Sequence, residues 1–93
     1  MATQDTEAKA LSDHPGVIFR DGPAGRRAAL PGGPDVWEVM ATLMSGKARG
    51  QAAIHSTAEL LNLTPAQVRA AVRYYAAFPD EIDQRLALNG GKQ

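Results

Sequence analysis

Arg69 and Arg73 are the residues of this chain best spaced to do chemistry together. In the run NLTPAQVRAAVRYYAAFPDEID they stand at i and i+4, with alanines on the same side at Ala66 and Ala70. Two guanidinium groups on one helical face can clamp phosphates or fork onto a guanine edge, and small neighbours let the backbone approach a groove or touch a thymine methyl. The same pattern equally describes a solvated face, because alanine is the best helix former. A second cationic pair, Arg26 and Arg27 in GVIFRDGPAGRRAAL, suits phosphates or an acidic partner, and suits ordinary solvated strand ends as well. Other chemistries find no residues. His14 and His55 are far apart and lack ligand-like spacing, so no metal is expected, and the chain has no cysteine for a disulfide or a cysteine zinc site. SGKARG fails as a phosphate loop, with Ala41 where the early glycine belongs and Ala48 at the Ser/Thr position. No serine, histidine and acid grouping marks a nucleophile, so neither an enzyme nor a cofactor is expected.

The elements that would position these arginines can be read from caps and periodicity. Thr64 is a good N-cap, Pro65 fits the first helical position, and Gln67 completes a capping box. Asn62 stands where a left-handed residue would end the preceding helix. Val68, Ala71, Val72, Tyr75 and Phe78 then share the inner side, with Gln67 and Tyr74 on the flank and Ala66, Arg69, Ala70, Arg73 and Ala77 outside. Upstream, one helix begins near Gln51, or only at Thr57 if Ser56 and Glu59 form a capping box; the longer helix is preferred. PDVWEVMATLMSG predicts a helix over 34–44, with Val36, Val39, Met40 and Leu43 on one face and Gly46 closing it. Trp37 on that helix is assigned to the core. Val17, Ile18 and Phe19, the turn residues DGPAG, and a return from about Arg26 to Leu30 predict a β-hairpin. After Pro79, DEIDQRLALNGG predicts a short last helix ending near Asn89 and Gly90.

Taken together this is a mainly α fold, a small helix-turn-helix of three to four helices with an N-terminal hairpin. Residues 1–13 are expected to be a flexible N-terminus, 14–89 a single domain and 90–93 a flexible tail. The three-residue break NLT between two helices is helix-turn-helix spacing, though short breaks also occur in bundles that bind nothing. The 93 residues carry ten basic and ten acidic side chains, so any nucleic-acid binding must come from local patches. MATQDTEAKALSD lacks a signal-peptide pattern and no apolar run is long enough to span a bilayer, so a cytoplasmic location is expected.

With these residues in view, the chain resembles domain-of-unknown-function family 433, whose members are often described as VapB-type antitoxins. The most specific parts are the glycine-rich turn leading to VWEV and LTPAQVRAAVRYY followed by PDEID. The resemblance implies a hairpin-bearing helix-turn-helix, usually dimeric, encoded beside a PIN-like ribonuclease toxin; MSGKARGQAAIH is longer than the common pattern. It implies operator binding through Thr64, Ala66, Gln67, Arg69, Ala70 and Arg73. For a toxin partner, the two candidate arginine groups are Arg26 with Arg27, and Arg85, of which Arg26 and Arg27 are preferred; Ile82 and Leu86 would add apolar area. A homodimer is expected to pair through the hairpin and the 34–44 helix. The alternative is a helical protein-interaction adaptor, or a stand-alone regulator without a toxin.

Overall fold

The computed structural model describes residues 2–22 and 25–90. Among these, five helices and one antiparallel hairpin follow in the order α1 (Ala2–Asp13), β1 (Ile18–Gly22), β2 (Gly25–Ala29), α2 (Val36–Ser45), α3 (Gly50–Leu61), α4 (Pro65–Ala77) and α5 (Pro79–Gly90). This is one helix more than the sequence predicts, and the addition is α1. Its sequence gives almost no apolar stripe to read. It is anchored instead by one buried alanine, Ala10, and by Glu7, whose carboxylate accepts from Arg26 Nε at 2.7 Å.

The hairpin register places Arg20 opposite Arg27 and Asp21 opposite Arg26. Its two connecting residues, within the expected DGPAG turn, lie outside the described residues. Ala28, Ala29 and Leu30 are buried, so the hairpin rests on the helices of its own chain. That contact supplies the support a lone hairpin needs. The following loop turns back through Leu30 N–H to Pro34 C=O and Gly33 N–H to Leu30 C=O, both 2.9 Å.

α2 begins after Asp35, whose backbone N–H donates to Glu38 Oε1 at 2.8 Å. Pro34 therefore precedes the helix instead of opening it. Val36, Val39 and Met40 are buried in the core of the single chain. These three are not available to pair two copies, whereas Leu43 of the same expected surface is only partly buried; a face that apolar is consumed by the nearest partner, here α3, α4 and α5. α3 has the longer of the two anticipated extents, starting at Gly50.

The core centres on Tyr74, only 1% exposed, with Leu30, Ile82, Val17, Val36, Val39 and Val68. His14 and Phe78 approach Tyr74 with ring centroids at 5.3 and 4.7 Å. Helical spacing alone puts Tyr74 on the flank of α4; the α1–β1 segment covers that side and turns the flank into the interior. Trp37, assigned to the core by its sequence, is only partly buried and lies at the core's edge.

Candidate nucleic-acid interface

The turn between α3 and α4 is built as its residues dictate. Asn62 adopts φ 58°, ψ 46°. Its N–H bonds back to Glu59 C=O at 3.3 Å and the Leu63 N–H to Ala58 C=O at 2.8 Å, a Schellman closure. Thr64 then caps α4: its Oγ1 accepts from Gln67 N–H at 3.1 Å, and Gln67 Oε1 accepts from Thr64 N–H at 2.8 Å. The turn is supported from below, where Leu63 lies beside Gly33 of the post-hairpin loop. Both capping side chains are thus held in place, and the capping box uses the Gln67 amide oxygen while its NH2 takes no part in it.

The exposed strip of α4 is Ala66, Arg69, Arg73, Ala76 and Ala77. Ala70 does not belong to it. It is 6% exposed, because the α1–β1 segment crosses α4 there. Gly16 makes that crossing possible: a Cβ at position 16 would stand 2.7 Å from the Ala70 Cβ. Ala70 is therefore a packing residue and meets no groove in this structure, although its spacing matches Ala66 and Arg73.

The cations sort into two groups. Arg26 pairs with Glu7 and, at 3.1 Å, with Asp21. The hydrogen bond from Arg26 holds the Glu7 carboxyl below the usual carboxylate range, and the same pair holds Arg26 more firmly protonated. Arg27 pairs with the buried carboxylate of Asp35, Arg20 donates to Leu30 C=O at 2.7 Å, and Arg85 donates to Arg26 C=O at 3.3 Å. Lys9 pairs with Asp13 at 3.2 Å. By contrast, Arg69 and Arg73 on α4 and Lys47 and Arg49 on the α2–α3 connection have no hydrogen-bond or ion-pair partner among the described residues. Across residues 46–77 these four cations face the single carboxylate of Glu59.

Sequence reasoning misses Lys47 and Arg49. SGKARG reads first as a failed phosphate loop, yet two cations in a short interhelical connection with no acid beside them are signal enough. The partner residues fare differently from expectation. Arg26 and Arg27 are neighbours on a strand, so they point to opposite faces and cannot enter one site together. Each is also engaged within the chain. Ile82 is 2% exposed and packs in the core, so it offers no edge to a partner, while Leu86 is partly buried against the same core. Asp80, Glu81 and Asp83 do not screen α4 uniformly: the Tyr74 hydroxyl donates to Glu81 and that of Tyr75 to Asp83, each at 2.8 Å. Burial, with the Glu81 carboxylate adding to it, pushes the Tyr74 hydroxyl far above its ordinary range, and the bond to Asp83 raises that of Tyr75.

Among the described residues no group of three or more histidine or acidic side chains could hold a metal, and no helix is long and apolar enough to cross a membrane. Comparison of the chain with protein-family models, curated proteins and solved structures finds no match.

Proposed function

We propose that this chain is a helix-turn-helix DNA-binding protein of the antitoxin type, acting as a cytoplasmic homodimer on an operator, with α4 entering the major groove. The observation that carries the reading is the segregation of cations. Among the described residues, the four cations without an intramolecular partner lie on the α2–α3 connection and on α4, where a helix-turn-helix would meet the phosphate backbone and the bases. Thr64, Ala66 and Gln67 flank the leading end of α4, Arg69 and Arg73 read or clamp, and Lys47 with Arg49 grips the backbone. Neutralisation of a PIN-like ribonuclease is the second half of the proposal and is supported by the motif resemblance. Its contact surface is not the joint Arg26–Arg27 pair.

The test is selection from a pool of randomised duplexes, with light scattering on the same sample at about 50 μM protein. An inverted repeat with half-sites about 10 base pairs apart, bound by a particle of twice 9.9 kDa, is the expected result. Arg69→Ala and Arg73→Ala should each weaken the selected site by about 1–3 kcal/mol if they touch bases. No enrichment together with retained binding of a protein partner would favour the adaptor reading instead.

A further inference from the structure

The end of α2 and the length of α3 enclose a notch of about 80 Å³. Gly46, Lys47 and Ala48 of their connection line it, together with Ser56, Thr57 and Leu60 of α3. Thr57 is the unusual residue here. It is 2% exposed, yet its hydroxyl has no hydrogen-bond partner among the described residues. A threonine or serine inside a helix can turn its hydroxyl back onto a carbonyl of the preceding turn. Thr42 and Ser45 of the facing α2 do so, donating to Glu38 C=O at 3.1 Å and Thr42 C=O at 3.0 Å. Thr57 does not, and a buried hydroxyl without a partner costs stability.

Other donors around the notch are unused in the same way. Among the described residues the Lys47 ammonium has no partner, and the backbone N–H groups of Gly46, Lys47 and Ala48 have no acceptor. No carboxylate of the described residues lines the notch. A hydroxyl, an ammonium and main-chain amides around one small concavity suit an oxyanion. α2 ends here, and the negative end of its dipole, about half a charge, opposes an anion; the full charge of Lys47 exceeds it. That balance fits a group with one negative charge, as each nucleic-acid phosphate carries, better than a phosphate dianion. The volume points the same way. A space that size takes a few water-sized groups, so one phosphate fits and the chain that carries it must lie outside.

We propose that this notch seats one phosphodiester group, bound by the Thr57 hydroxyl, the Lys47 ammonium and the main-chain amides of residues 46–48. That the group belongs to a duplex backbone rests on the DNA-binding reading above; the phosphate chemistry of the notch does not.

The amide resonances of Gly46, Lys47 and Ala48 report on the notch directly. They are followed in the full chain on titration with a random-sequence duplex of about 20 base pairs at about 50 mM salt, and separately with inorganic phosphate. The duplex is expected to shift all three, and phosphate to shift the same three with weaker affinity. Thr57→Val should weaken the duplex at least about fivefold, whereas Thr57→Ser should stay within about twofold of the wild type. The urea midpoint of Thr57→Val should equal or exceed that of the wild type, because the hydroxyl it removes bonds nothing within the chain. A lower midpoint, or a Thr57→Val protein that fails to fold, would make the hydroxyl structural and overturn the proposal. Duplex binding that leaves these amides unmoved, or that Thr57→Val does not weaken, would overturn it while DNA binding stands. Shifts with phosphate but no duplex binding would uphold the notch as a free-phosphate site and overturn the DNA reading instead. No shift with either, up to about 50 mM phosphate, would overturn the proposal outright.

Discussion

Ala66 and Ala70 show how far a residue's role depends on what crosses it. They are one turn apart on α4 and chemically identical, yet one is exposed and the other lies under Gly16. Gly16→Ala should therefore cost about 1–3 kcal/mol in urea denaturation, as overpacking does. The penalty should shrink when Ala70→Gly is introduced with it, a coupling that independent sites would not show. Tyr74 makes a second residue-scale test. Its hydroxyl titrates above the unfolded value near 10, so the folded state holds this proton more tightly. The associated stability is complete below about pH 10 and is lost as pH rises beyond it. The urea midpoint should fall above about pH 10, and Tyr74→Phe should remove most of that fall while costing about 1 kcal/mol at neutral pH through the lost bond to Glu81. A midpoint equally alkali-sensitive in Tyr74→Phe would assign the effect to another group.

Elements with strong local chemistry are legible in the amino-acid sequence itself. Asn62, Thr64, Pro65 and Gln67 each satisfy a backbone requirement of the helix they bound, so the α3–α4 turn reads residue by residue. The hairpin is legible too, and its alternation already implies that Arg26 and Arg27 part company. α1 is not, because Ala10 and the Glu7–Arg26 pair are its anchors and neither leaves a periodic trace. The candidate site is legible at Arg69 and Arg73. It is illegible at Ala70 and Ile82, whose burial is decided by distant segments. The docking of α1 carries its own prediction. Glu7 titrates below the usual carboxylate range in the folded state, so its contribution is present above the unfolded value and is lost as pH falls. Heteronuclear NOE values for Ala8 to Leu11 should drop between about pH 5 and about pH 3, and Glu7→Gln should show the low values already at neutral pH. A helix that stays ordered in Glu7→Gln would mean that the Ala10 contact alone holds it.

At the scale of the molecule, a net charge of zero conceals a division of labour. The hairpin, α1 and α5 hold cations paired with carboxylates and carbonyls of the same chain. The α2–α3 connection and α4 hold Lys47, Arg49, Arg69 and Arg73 without such partners among the described residues. Cations that neutralise phosphates release the counterions condensed on the duplex, so DNA affinity should depend on salt with a slope of about −0.9 per phosphate neutralised. The most direct measurement is the salt dependence of binding to the selected duplex, for the wild type, Lys47→Ala/Arg49→Ala and Arg69→Ala/Arg73→Ala. The account predicts that the first pair flattens the log–log slope by about 1–2 per protomer while keeping sequence preference. It predicts that the second pair abolishes the preference. A wild-type protein that binds no duplex at about 50 mM salt, or a slope unchanged in both variants, would contradict DNA recognition by this face.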